Sequence, residues 1–260
     1  MKFSKTSDVT VVLTSCGRFD LLAQTLITFF ENNTYPISQF ILIEDSGKAE
    51  VSDFIPAEYR ERIDLIINQP QIGQVSAIDT AYRLVKTDYI FHCEDDWLFY
   101  RPGFIEDSKT VLEAEPQSLM VHLRSYHHDL AFYGARAWVL AERKTVQNIA
   151  YYRVNTTLSH SQCFSFNPGL RRRAQYPDGG YASLVAKGQS PADMEMIASE
   201  HYAAQGYFAV LLENDAVKHT GFGKHVRNYD TRWTKYRGRL LRLVVAIAMF
   251  ALGWYFGAAK

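Results

Sequence analysis

Apolar residues over the first 115 positions fall into short β-branched runs separated by stretches of helical spacing. Asp8–Ser15 (DVTVVLTS) is almost unbroken, the mark of a strand covered on both faces. Phe19–Phe30 follows with apolar residues at 19, 22, 26, 29 and 30, which line one face of a helix. Gln39–Glu44 (QFILIE) predicts a second buried strand, closed by the turn-prone Asp45-Ser46-Gly47. Ile63–Asn68 predicts a third strand, Val75–Val85 a helix and Tyr89–Cys93 a fourth strand. Strands that alternate with helices pair in parallel through right-handed crossovers, so residues 1–115 predict a doubly wound nucleotide-binding half. Ser118–Leu123 and Phe208–Leu212 predict further core strands. Pro191–Gln205 predicts a helix with Asp193 and Glu195 in its first turns, where acids are favoured. Residues 124–185 are rich in aromatic, His and Arg side chains but weak in periodicity. With no repeat and no low-complexity linker, residues 1–235 read as one α/β domain, with the nucleotide-binding half at 1–115 and a second half at 116–235.

Composition narrows the classes. Hydrophobic residues are 47% and charged residues 22% of the 260, a globular balance that excludes disorder. Lys+Arg and Asp+Glu are 28 each, so the basic excess of a general nucleic-acid binder is absent. Cys16, Cys93 and Cys163 form no CxxC pair, and their odd number closes no disulfide framework, which predicts reduced thiols in a reducing compartment. The opening MKFSKTSD has no apolar signal core, so no secretory signal is expected.

Residues 236–260 differ from the rest. Leu243–Ala259 is uncharged and almost wholly apolar. As a helix it would span about 26 Å against a bilayer core of about 30 Å. Arg232, Lys235, Arg237, Arg239 and Arg242 precede it, as suits anionic headgroups. This predicts an apolar C-terminal helix that places the protein on the cytoplasmic face of a membrane. A helix packed on the domain is the alternative.

The chemistry concentrates at Glu94-Asp95-Asp96, directly after the strand YIFHC. In open α/β sheets, ligands bind beyond the carboxyl ends of the strands. Three adjacent carboxylates repel one another, and a hard divalent cation such as Mg²⁺ or Mn²⁺ relieves that repulsion. Trp97-Leu98-Phe99-Tyr100 follows, which argues against a freely solvated loop. Asp45 ends a second strand, where its carboxylate could accept from a base N–H or a ribose hydroxyl. An ordinary turn is the alternative there.

These residues carry a resemblance. The stretches VTVVLTSCGRFDLLAQTL and ILIEDSG, then Asn68 with Gly73 and Ala77, then YIFHCEDDW, resemble in order and spacing the family-2 glycosyltransferases of GT-A fold. The Glu94-Asp95-Asp96 triplet is similar to the Glu-Asp-Asp motif of N-acetylglucosaminyltransferase I. The likeness covers about 115 residues well and the rest in patches. It implies a GT-A-like doubly wound mixed sheet and an inverting, metal-dependent transfer from a nucleotide-sugar donor to a glycan or lipid-linked acceptor, in polysaccharide biosynthesis. It further implies that Thr14 and Ser15 line the base pocket, that Arg18 at the helix start serves the donor, and that Asp45 holds the nucleobase or ribose. Glu94 or Asp95 would approach the ribose, and Asp96 would hold the metal. Ile78 and Asp79 depart from the pattern, because the family often places Arg then Asn there.

The second half of the site is implied by the same likeness. An inverting transfer needs a base to take the proton of the acceptor hydroxyl. The family places an acid at the start of a helix about a hundred residues beyond the metal motif, which points to Asp193 first and Glu195 second. His219 resembles the His that follows the last core strand and reaches the metal or diphosphate. Gly221 and Gly223 would let that segment close as a lid, with Lys224, His225 and Arg227 supplying charge to the donor. Arg171-Arg172-Arg173 reads as a solvated charged face, or as a contact for an anionic acceptor or lipid headgroups. Two rival functions remain: a sugar-nucleotide nucleotidyltransferase, and a catalytically degenerate membrane-tethered binding module.

Overall fold

The computed structural model describes residues 3–130, 138–154, 163–186, 190 and 193–222. All of them lie in one compact unit, Met1–Phe222. Lys224, His225, Arg227 and the tail Leu243–Ala259 lie outside the described residues. Among those described, no helix is long and apolar enough to cross a membrane.

The chain runs β1 (Val9–Ser15), α1 (Phe19–Asn32), β2 (Gln39–Glu44), β3 (Ile63–Ile67), α2 (Gln74–Tyr82), β4 (Tyr89–Glu94), β5 (Trp97–Phe99), α3 (Phe104–Ala114) and β6 (Ser118–His122). It continues with β7 (Leu140–Val146), β8 (Ile149–Val154), β9 (Gly169–Arg172), α4 (Met194–Ala203), β10 (Phe208–Leu212) and β11 (Val217–His219). Nine of these strands form one mixed sheet among the described residues, in the order β3-β2-β1-β4-β9-β6-β10-β8-β7. β1 pairs in parallel with β2 and β4, while β9 runs antiparallel between β4 and β6. The carboxyl ends of β1, β2, β4, β6 and β10 therefore share one edge. β5 and β11 form a separate two-stranded ribbon beside that edge.

The sheet is covered on both faces, which is why its strands are continuous apolar runs rather than alternating ones. Val9, Val11 and Leu13 pack with α1 and α3, whereas Val12 and Ile90 pack with α2 and α4. Phe29 of α1 is the hub of the first layer, with its ring 5.2–5.8 Å from those of Phe30, Phe40, Phe91, Phe99 and Phe104. Removing such a side chain costs about 3–5 kcal/mol.

The expected solvated face at Arg171-Arg172-Arg173 is a correction. Arg171 and Arg172 belong to β9 in the middle of the sheet, and Arg171 is 3% exposed. Its guanidinium donates to Ser165 O at 3.1 Å and lies 5.2 Å from the Phe164 ring. Burial, and next the charge of Arg171, hold the pKa of His92 and His122 on the flanking strands well below the usual histidine value. Arg172 is half-buried, and Arg173 is exposed. The three cysteines are free thiols, as expected.

Candidate active site

The site is assembled where β1, β2 and β4 end. Parallel register sets Ser15 opposite Glu44 and Thr14 opposite Glu94, so the acidic ends of β2 and β4 flank the end of β1. Beyond β1 the chain turns through Gly17, whose φ of +71° suits glycine, and enters α1 at Arg18. The Gly17 and Ser46 amides donate to Glu44 Oε1 at 2.9 and 2.8 Å, which fastens the two turns together.

Asp95 and Asp96 face Arg18. Arg18 Nη1 donates to Asp96 Oδ2 at 2.7 Å, Nε reaches Asp95 Oδ2 at 3.4 Å, and Nη2 donates to Asp95 Oδ1. Ser15 Oγ and the Cys16 amide also donate to Asp95 Oδ2, at 3.1 and 3.3 Å. Burial pushes Asp95 up to about 6, against the opposing pull of Arg18. Burial pulls Asp96 the same way, but hydrogen bonding to His219 and the charge of Arg18 outweigh it and hold Asp96 below its ordinary value.

His219, on β11, is brought to Asp96 by the ribbon with β5, where it pairs with Trp97. Its Nε2 lies 3.1 Å from Asp96 Oδ2, and its ring packs 5.0 Å from Trp97 and 4.6 Å from Phe222. Thr220 donates twice to Asp96 O, from its amide and its hydroxyl, both at 2.9 Å. Gly221 then passes so close that a Cβ there would stand 2.1 Å from Asp96 Oδ2.

Asp45 is in place but engaged. Its carboxylate accepts from Asn68 Nδ2 at 2.8 Å, the Ile72 amide at 3.0 Å and the Gly73 amide at 2.8 Å, so it clamps the loop that leads into α2. Four of its lone-pair positions minus these three leaves about one for a base or ribose. Glu94 accepts from Gln74 Nε2 at 2.8 Å. Burial first, then the charges of Asp96 and Glu195, raise Glu94 well above the usual carboxylate range.

The two base candidates part company. Asp193 is exposed at the N-cap of α4. Glu195 is directed inward, accepts from the Phe166 amide at 2.7 Å and bears electrostatically on Glu94. Burial raises Glu195, opposed by that amide and by Arg124 and Arg171.

Two features of the site escaped the sequence. Arg124, just past β6, grips Asp129 through Nε and Nη2, both at 2.7 Å, with its guanidinium 5.4 Å from the Trp97 ring. Its position at a strand end on the acidic edge was the signal that could have revealed it. Asp79 explains the departure from the family pattern: it accepts from Tyr176 OH at 2.8 Å and from the Tyr181 and Ala182 amides at 2.8 and 2.9 Å. The residue fastens residues 176–182 to α2, a structural task.

Asp96 and His219 fit a divalent cation in part. An imidazole nitrogen and a carboxylate converge, and Asp96 Oδ1 is buried with no hydrogen-bond partner among the described residues. Among the described residues no group of three His, Cys, Asp or Glu side chains could hold a metal by itself, so these two side chains would make up only part of a cation's ligand set.

A large mixed sheet sandwiched by helices, with an acidic cluster at the carboxyl end of β4, is the GT-A type of glycosyltransferase fold. Two solved structures share it. The mannosyltransferase PcManGT from Pyrobaculum calidifontis, in complex with GDP-Man and Mn²⁺, aligns over 80% of this chain and 57% of its own, with 16% identity and a TM-score of 0.51. GalNAc-T7, solved with UDP, GalNAc and Mn²⁺, aligns over 81% of this chain and 42% of its own, with 10% identity and a TM-score of 0.54. The likeness is one of fold, and the chain spans about half the length of these structures. No protein-family model matches the chain, and no curated protein matches it by sequence.

Proposed function

We propose that the chain is a glycosyltransferase that moves a sugar from a nucleotide-sugar donor to an acceptor hydroxyl, with inversion and with Mn²⁺ or Mg²⁺ at Asp96 and His219. The observation that carries this reading is the Asp96–His219 contact of 3.1 Å beside an unpartnered carboxylate oxygen, at the strand edge where such folds bind ligands. A bound divalent ion would neutralise charge on the departing diphosphate.

The residues of the chain divide the remaining tasks. Asp45, with its one spare acceptor position, and Ser15 face the donor's base and ribose. Arg18 supplies a cation at the N-terminus of α1, itself an electropositive end. Glu195 takes the role of general base in place of Asp193, because it is the acid directed toward Glu94. Burial raises its pKa, the direction that makes a carboxylate the stronger base. A family-2 relationship, and membrane association through Leu243–Ala259 that would bring the chain to a lipid-linked acceptor, complete the proposal.

A panel of UDP- and GDP-sugars, incubated with Mn²⁺ and acceptors, tests it through release of nucleoside diphosphate. Pyrophosphate as the product would point instead to the nucleotidyltransferase. The Asp96→Ala variant is expected to lose metal-dependent donor binding while keeping its fold, and unchanged Mn²⁺ affinity in its calorimetry would refute the assignment.

A further inference from the structure

Arg18 occupies the place in the acidic cluster that a metal would contest. Its Nη1 sits 2.7 Å from Asp96 Oδ2, the same oxygen that His219 Nε2 faces at 3.1 Å. A cation between Asp96 and His219 needs the imidazole lone pair and a carboxylate oxygen, and a guanidinium on that oxygen opposes it by like charge. The backbone around Arg18 is pinned, with the Gly17 amide on Glu44 and the Cys16 amide on Asp95. The side chain is the accessible partner: it is 19% exposed, against 1% for Asp95 and 6% for Asp96. Arg18 also holds Asp95 through Nε and Nη2, so rotation of this one long, unbranched side chain would take the guanidinium off both carboxylates.

We propose that Arg18 is a resident counter-cation that yields Asp96 to the metal and passes to the donor's diphosphate, so that metal and nucleoside diphosphate bind cooperatively. The inference rests on the glycosyltransferase reading above. A metal on Asp96 repels the guanidinium, and a diphosphate offers that planar fork a matching anionic partner. A diphosphate that draws Arg18 away also frees Asp96 Oδ2. Each ligand thus removes the obstacle to the other, and the coupling is reciprocal.

The test measures Mn²⁺ binding by the full chain through electron paramagnetic resonance of the free ion, with and without uridine or guanosine diphosphate. In the wild type, nucleoside diphosphate should strengthen Mn²⁺ binding. Arg18→Met should tighten nucleotide-free Mn²⁺ binding about tenfold and shrink the nucleotide's enhancement by a similar factor, a coupling of ordinary size. Arg18→Lys should fall between the two, and it decides the matter alone if the Met variant does not fold. If nucleotide-free Mn²⁺ binding by the folded variants equals or falls below that of the wild type, the inference is overturned while the enzyme reading stands. If the wild type binds neither Mn²⁺ nor nucleotide, both are overturned.

Discussion

Gly221→Ala places one methyl group where the structure has least room for it. The new Cβ would lie 2.1 Å from Asp96 Oδ2, 2.8 Å from its Cγ and 2.9 Å from its Cβ. Real contacts of this kind stay above about 3 Å, so one partner must retreat by about 1 Å. Asp96 cannot yield cheaply, because Arg18, His219 and two hydrogen bonds from Thr220 hold it. Gly221 is not in the left-handed region, so the penalty is one of space rather than of backbone strain. Overpacking at a tight site costs about 1–3 kcal/mol. A misplacement of about 1 Å in a working constellation costs about a hundredfold in activity. The expected result is a modest fall in Tm with a loss of Mn²⁺ affinity, read by scanning calorimetry and titration calorimetry on one preparation. Wild-type Mn²⁺ affinity in the alanine variant would refute the reasoning, because it would mean that Asp96 and His219 do not act together on the ion.

Other outcomes follow from the same geometry. Glu195→Gln should lower turnover by about a hundredfold or more with donor binding nearly unchanged, while Asp193→Asn should cost little; steady-state kinetics of the pair decide which acid is the base. Asp95, raised from 3.8 to about 6 in the folded chain, favours folding when protonated, so its contribution is full below about pH 4 and lost as pH rises through about 6. Asp95→Asn should abolish that part of the decline, which metal-free thermal scans from pH 4 to 7 would reveal. Asp79→Ala should destabilise the fold by about 2–4 kcal/mol, since it strands a hydroxyl and two amides, yet leave the affinity for nucleotide unchanged. A specific loss of nucleotide binding at full stability would show that Asp79 serves the ligand rather than the fold.

The parts of the fold that the sequence makes legible are those where burial on both faces writes itself as a run of β-branched residues. β1, β2, β4 and β10 fall within a residue of their predicted bounds, and β2 and β10 match them. β7 escapes because its residues (LAERKTV) are largely exposed and polar. The turn that joins it to β8 is made by Gln147 and Asn148, both at positive φ, with no glycine to announce it. β9 (GLRR) has no apolar run, because its stability comes from ladders to β4 and β6 and from a guanidinium resting on a ring. At the site, strand ends reveal the acids but not their partners. The Arg18–Asp95 and Asp96–His219 contacts join residues 77 and 123 positions apart. Asp193 and Glu195 look alike at a helix start, and only the rotation of α4 against the sheet separates the exposed acid from the inward one.

The placement of β9 also sets an order of events during synthesis. β4 leaves the ribosome with one edge paired to β1 and the other edge bare, because its neighbour on that side is β9 rather than a strand already made. Gly169 follows Glu94 by about 75 residues, which at about 5–20 residues per second is a wait of roughly 4 to 15 seconds. Throughout it the nascent chain carries an open strand edge next to its acidic cluster, and the cluster's nearby charges and the short length of β4 are what guard that edge against pairing with another chain. Expression of residues 1–115 alone would make this transient state permanent, so these residues are not a separable module.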